Sequence, residues 1–137
     1  MSADGPALGA EERRGLEKGV AEFNAGLFFE CHDTLEEVWS GVRGPAREFL
    51  QGLIQVSVGF YHLGNGNPGG ALSMFDRGLK RLGKYPDRYC GLELGELRRE
   101  VAQWRARVAA GEGFPDDPAR LPKYRLEPEG HGDPAGA

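Results

Sequence analysis

The segment FFECHDTLEEVW, residues 28–39, places an imidazole and a carboxylate four residues apart, at His32 and Glu36. In an α-helix such residues are neighbours, with Cβ atoms about 5–6 Å apart. Both fall on the side of this predicted helix that carries its aromatic and aliphatic residues. A carboxylate in apolar surroundings costs several kcal/mol unless it is paired, protonated or metal-bound. The sequence therefore predicts an inward-facing Glu36 that has a partner, whereas other acids of the segment, such as Asp33, are expected to face solvent.

A second set of polar residues lies along the apolar segment PAREFLQGLIQVSVGFYHLG, residues 45–64. Apolar residues cover most of the circumference of this predicted helix, which is typical of a central helix with others packed around it. The exceptions form a polar stripe within about 60° of one another: Glu48, Gln51, Gln55 and His62. The simplest packing sets His32 and Glu36 against this stripe.

Two glycines, Gly52 and Gly59, flank the polar stripe. In a helix interior each costs about 1 kcal/mol relative to alanine. Close approach of a neighbouring helix would compensate for this cost, so the pair predicts a tight helix–helix contact.

The leading functional hypothesis is a divalent-metal or small-ligand site formed by His32, Glu36 and His62. Imidazole and carboxylate ligands suit Zn, Mn, Fe or Ni, and three protein ligands leave a position open. Glu36 would be a metal ligand or a catalytic base that polarises a bound water, which suggests hydrolase-like chemistry. The residues expected to contact a ligand are Gln51, Gln55 and Trp39.

The same residues also fit a purely structural interpretation. His32 and Glu36 could be a buried pair that fixes helix register, with the polar stripe completing a hydrogen-bond network. His62 could instead be a helix-end histidine that interacts with the C-terminal dipole. Cys31 is next to His32, but its direction differs by about 100°, which favours a small core residue over a ligand.

Basic residues on the predicted fourth helix support an alternative function. They recur at three- and four-residue steps: Arg77, Lys80, Arg81, Lys84 and Arg88. Such a row is usually the solvated side of an amphipathic helix, but it could contact an acidic partner or nucleic acid. The protein would then be a non-enzymatic interaction module. Its formal charge of −4 and the absence of interleaved aromatic residues argue against nucleic acid.

Hydrophobic periodicity predicts an all-α fold, a single-domain bundle of about five helices around a central apolar helix at about 45–63. The helices are expected at about 11–24, 27–40, 45–63, 68–82 and 92–110. Residues 1–110 would form the helical domain. Residues 111–137 would form an extended Pro/Gly-rich tail, partly packed on the domain through Leu121, Tyr124 and Leu126.

Composition bounds the class of protein. No apolar run approaches the roughly 18 residues of a membrane span, and no secretory signal is recognisable. The two cysteines, Cys31 and Cys90, form neither a zinc-knuckle spacing nor a disulfide framework. We expect a cytoplasmic protein with reduced thiols and without a nucleotide cofactor. Gly15 and Gly19 would permit close packing within or between chains, so a homo-oligomer is compatible with the sequence.

Residues 20–85 resemble the family of small bacterial and archaeal proteins known as domain-of-unknown-function family 309. The family's His-x3-Glu-x2-Trp/Tyr motif matches His32, Glu36 and Trp39, within FNAGLFFECHDTLEEVW. The following FLQGLIQVSVGFYHLGNGNPGGAL is also similar to the family. The resemblance implies an all-α fold and a metal site, with no established activity.

Overall fold

The computed structural model describes residues 8–127. Its helices are α1 (Ala10–Asn24), α2 (Phe28–Gly41), α3 (Ala46–Gly64), α4 (Pro68–Leu82) and α5 (Leu94–Ala109). A small antiparallel hairpin, β1 (Arg88–Tyr89) and β2 (Leu92–Glu93), precedes α5, and a 3-10 turn, Pro118–Arg120, follows it. The all-α prediction is confirmed. None of the helices described is long and apolar enough to cross a membrane.

The helices pack in chain order, so that α3 lies between α2 and α4. α3 is buried along most of its length, and its side chains Phe49, Leu50, Leu53, Val56 and Phe60 are fully buried. A helix with so little polar surface is stable only when neighbours cover it on several sides. The prediction of a central apolar helix is therefore confirmed.

The two glycines of α3 explain how closely α4 approaches. A Cβ atom at Gly52 would lie 2.7 Å from Cδ2 of Leu82, and one at Gly59 would lie 2.5 Å from Cε1 of Phe75. The predicted tight helix contact is confirmed, and the helix that makes it is α4.

Glycines serve the same purpose between α1 and α2. A Cβ atom at Gly15 would lie 2.3 Å from Cγ2 of Val38, and one at Gly19 would lie 2.5 Å from Cδ2 of Leu35. These two glycines therefore allow close packing within the chain.

The hairpin before α5 was not predicted from the sequence, which placed the start of a helix near Leu92. Cys90 and Gly91 connect its strands with positive φ angles of 51° and 78°. Two consecutive residues with positive φ form a type I′ turn, and the twist of this turn matches the twist of paired antiparallel strands. Leu92 is fully buried and also pairs with Leu126. Strands of two residues are too short to show the alternation by which strands are recognised.

The segment after α5 packs against the bundle. Tyr124 is buried and stacks on Phe23, with ring centroids 3.7 Å apart. The side-chain amide of Asn24 makes two hydrogen bonds to the backbone of Tyr124. Its oxygen accepts from Tyr124 N at 2.7 Å, and its nitrogen donates to Tyr124 O at 2.9 Å. Leu121 is buried and Leu126 is partly buried against the core. Residues 128–137 lie outside the described residues, and the domain division itself stays a prediction.

Candidate metal site and neighbouring cleft

α2 positions the two residues that the sequence singles out, but not as predicted. The His32 side chain is 25% exposed and the Glu36 side chain is 55% exposed. The prediction that Glu36 faces inward is therefore wrong. The buried residues of α2 are Phe28, Cys31 and Leu35, and they cover only part of the apolar side of the helix. Glu36 lies about 80° from Phe28 on the helical wheel and falls outside that part.

The imidazole of His32 lies between two carboxylates of its own helix. Its Nδ1 is 3.3 Å from Oδ1 of Asp33, and its Nε2 is 3.6 Å from Oε1 of Glu36. Nδ1 is buried and makes no hydrogen bond to any described residue. The imidazole is thus flanked by negative charge on both ring nitrogens.

The side chains of His32, Asp33 and Glu36 are close enough together to hold one metal ion. Each offers one donor atom, and these atoms all lie within 4.8 Å of one another. Within residues 8–127 no other group of three His, Cys, Asp or Glu residues meets this condition. One imidazole nitrogen and two carboxylate oxygens suit a divalent transition metal. The exposed carboxylates leave the solvent side of the group open, so the residues present fit such an ion.

The third residue of this group is Asp33, and His62 is not part of it. His62 lies in the last turn of α3, where its Cδ2 would be 3.0 Å from a Cβ atom at Gly70 near the start of α4. The structure therefore places His62 at the α3–α4 turn and outside the donor group. Hydrophobic periodicity assigned Asp33 to the solvent-facing side of α2, and no feature of the sequence marked it as a donor.

Two residues of the polar stripe, Glu48 and Gln55, pair with basic side chains of α4 and of the turn after it. Oε1 of Gln55, a buried residue, accepts a hydrogen bond of 3.1 Å from Nε of Arg81. Oε2 of Glu48 accepts from Lys84 at 2.7 Å and from Arg81 at 3.0 Å. The hydrogen bond from Lys84, together with the positive charges of Lys84 and Arg81, lowers the pKa of Glu48. The expectation that His32 and Glu36 pack against this stripe is therefore wrong.

A cleft of about 500 Å³ opens at the end of α2, one helical turn beyond Glu36. The guanidinium of Arg47 lies 3.7 Å from the ring centroid of Trp39 and donates to the carbonyl of Trp39. The amide of Gln51 makes no side-chain hydrogen bond within the described part of the chain, so it is available to a ligand. Of the predicted ligand-contacting residues, Trp39 and Gln51 share this cleft, whereas Gln55 is engaged by Arg81.

The five basic residues do not form a row of unpaired charges along α4. α4 ends at Leu82, so Lys84 and Arg88 lie beyond the helix on which they were predicted. Three of the five are paired with acids of the chain: Arg81 and Lys84 with Glu48, and Arg88 with Glu93 and Glu127. Only Arg77 and Lys80 lack an ion pair with a described residue. The interaction-module hypothesis stays a prediction, without support from a free cationic stripe.

Cys31 is a core residue, as predicted. It is fully buried, and its Sγ lies 3.2 Å from Oγ of Ser57. Burial raises the pKa of the thiol to about 12, which keeps it protonated. Its Sγ is not among the clustered donor atoms, so Cys31 takes no part in the donor group.

Comparisons with known proteins cover the segment that holds the donor group. The model of the family DUF309, described as a domain of unknown function, matches residues 16–74. An uncharacterized protein of Aquifex aeolicus (strain VF5) is 29% identical over 84 residues, or 61% of this chain. The match spans only 25% of the length of that relative. The resemblance to domain-of-unknown-function family 309 is thus confirmed over residues 16–74, from the middle of α1 to the first half of α4.

Proposed function

We propose that the protein binds a divalent transition-metal ion through His32, Asp33 and Glu36. The observation that carries this proposal is the convergence of three donor atoms, all within 4.8 Å of one another, on one side of α2. The imidazole would bind in its neutral form and the carboxylates in their ionised form, as metal ligation requires.

The surroundings of His32 support the assignment. A buried nitrogen without a hydrogen bond costs about 1–3 kcal/mol, and Nδ1 of His32 is in that situation. Two carboxylates within 3.6 Å of the ring add negative charge that a cation would offset. All three ligands belong to one regular helix, whose backbone fixes their relative positions before any ion arrives.

The exposure of the carboxylates determines what such a site can do. Three protein ligands leave coordination positions for water or substrate. When bound, a divalent metal supplies Lewis-acid polarisation and lowers the pKa of bound water. In this arrangement Glu36 is a ligand, and the cleft with Trp39 and Gln51 one turn away would hold a small polar molecule. Hydrolase-like activity is a further prediction that depends on metal binding.

Metal analysis of protein purified without an affinity tag tests the proposal, together with melting scans in Zn²⁺, Mn²⁺ and Ni²⁺. At least one of these ions should raise the melting midpoint, because an ion that binds the folded state stabilises it. His32→Ala should abolish the rise, and Asp33→Asn and Glu36→Gln should each reduce it. His62→Ala is the matched control and should keep the full rise, since His62 lies outside the donor group.

Two results would overturn the proposal. One is the absence of both bound metal and any change in midpoint with all three ions. The other is a rise that survives His32→Ala but disappears in His62→Ala, which would place the ion elsewhere.

A further inference from the structure

The exposed large hydrophobic side chains of residues 8–127 are gathered in one place. There are four of them, Leu27, Phe29, Tyr61 and Phe114, with exposures of 39–49%. All four line a single concavity of about 420 Å³. Isolated exposed apolar residues are ordinary, but a contiguous group around a concavity marks a binding surface.

Aromatic rings form most of this concavity. Phe29 of α2 contacts Tyr61 of α3, with ring centroids 5.4 Å apart. Phe114, which follows α5, contacts Phe28 at 6.3 Å. The buried Phe60 contributes a fifth ring and lies 5.7 Å from Phe28. Three segments of the chain thus bring five aromatic rings to one concavity.

The charge at this concavity is negative. Among its lining residues Glu30 alone carries a charge at neutral pH, and this exposed residue forms no ion pair with any described residue. Two helix ends also meet there, the start of α2 and the end of α3. The start of a helix carries a partial charge of about +0.5 and its end about −0.5, so the two contributions roughly cancel. The full negative charge of Glu30 therefore decides the sign.

We propose that this aromatic concavity binds a small organic ammonium cation whose nitrogen carries methyl groups. Aromatic faces attract cations through the ring quadrupole, and quaternary ammonium groups are the ligands for which proteins use several rings together. The methyl groups would be buried against Phe29, Tyr61 and Phe114, and Glu30 would supply the counter-charge. A neutral apolar ligand would gain nothing from Glu30, and an anion would be repelled by it.

The site is separate from the proposed metal site, although the two are adjacent. The ring of Phe29 lies 5.8 Å from that of His32, but His32 does not line the concavity. Binding of the cation therefore requires no metal, and it can be measured on protein stripped of metal by a chelator.

Calorimetry or NMR titration of the metal-free full chain with choline and with tetramethylammonium tests the proposal. Both should bind saturably. Dimethylbutanol, the neutral isostere of choline, should bind several-fold more weakly because it lacks the charge. Phe29→Leu and Phe114→Leu keep apolar volume but remove a ring, and each should weaken choline binding about two- to fivefold. Glu30→Gln should weaken it by a similar factor.

One matched control accompanies these variants. Glu37→Gln removes an exposed carboxylate of the same helix that does not line the concavity, and it should leave the affinity unchanged. Because the titration uses metal-free protein, failure of the metal proposal and failure of this one are distinguishable. Circular dichroism establishes whether each variant is folded. If a ring variant does not fold, the effect of Glu30→Gln on choline affinity still tests the proposal.

The proposal is overturned if neither cation binds. It is also overturned if dimethylbutanol binds as tightly as choline, because the concavity is then only an apolar pocket. A third contrary result is self-association in sedimentation experiments that Phe29→Leu abolishes while choline has no effect. The concavity would then be the contact surface for a second copy of the chain.

Discussion

Nε of Arg81 donates a hydrogen bond of 3.1 Å to Oε1 of Gln55, and this contact ties α4 to the polar stripe of the central helix. The same guanidinium reaches Glu48 through Nη1 at 3.0 Å. One arginine therefore satisfies two polar residues on a helix that is otherwise apolar. Glu48 and Gln55 therefore have a partner in α4, and the donor group on α2 does not supply one.

Arg81→Met should lower the free energy of unfolding by about 1–3 kcal/mol, because it leaves the buried Oε1 of Gln55 without a donor. Urea denaturation measures the change. Lys80→Met is the matched control, since Lys80 is exposed and has no ion pair with a described residue, and its effect should stay within about 0.5 kcal/mol. Equal effects of the two substitutions would mean that the contact to Gln55 contributes nothing.

Gly59→Ala tests the close approach of α4. Alanine would gain about 1 kcal/mol in helix propensity. Its Cβ would lie 2.5 Å from the ring of Phe75, which is fully buried and cannot move aside freely. Overpacking typically costs about 1–3 kcal/mol, so we expect a net loss of stability by thermal or urea unfolding. Gly41→Ala, at the end of α2 with nothing within 4 Å, should be neutral or slightly stabilising. A more stable Gly59→Ala protein would contradict this packing.

The helices could be predicted from the sequence because their signal is local. Apolar spacing placed α4 at about 68–82, which are its observed bounds. The side chain of Asn67 caps it by accepting a hydrogen bond from Gly70 N. The central position of α3 followed from its apolar circumference. The hairpin at Cys90 and Gly91 was missed, since two-residue strands have no period.

The candidate site was harder to predict, because it depends on which helix covers which face. A helical wheel shows that Glu36 lies near the edge of an apolar arc, but it does not show how much of that arc a neighbour buries. Here the covered arc stops short of Glu36, and its carboxylate reaches solvent. The partner of Gln55 was likewise undetermined, since a polar stripe on α3 can face α2 or α4. Tertiary packing determines which helix the stripe faces, and the glycines of α3 that allow α4 to approach closely are part of that packing.

Tyr124→Phe tests how firmly the segment after α5 is held. The hydroxyl of Tyr124 donates to Leu53 O at 2.9 Å in a fully buried setting, and its loss should cost about 1 kcal/mol in guanidinium unfolding. Tyr124→Ala also removes the ring stacked on Phe23 and should cost about 3–5 kcal/mol. Tyr61→Phe, at an exposed position, is the control and should have little effect. A near-neutral Tyr124→Ala would show that this segment is not integral to the fold.

Cys31 should make stability depend on pH in the alkaline range. Burial raises the pKa of its thiol from 9.0 to about 12. Below pH 9.0 the thiol is protonated in both the folded and the unfolded chain, so its contribution to stability is fully present. As pH rises from 9.0 towards about 12, the thiol ionises only in the unfolded chain. The free energy of unfolding should therefore fall, with a limiting slope of about 1.4 kcal/mol per pH unit from this group.

Urea unfolding of wild type and Cys31→Ala at a series of alkaline pH values isolates this contribution. The substitution lowers stability at every pH, because it leaves a cavity beside Ser57. The informative quantity is the slope, which should be shallower in Cys31→Ala. Burial also raises the pKa of Tyr124, so part of the alkaline loss should persist in the variant. Parallel slopes for the two proteins would contradict the raised pKa of the Cys31 thiol in the folded chain.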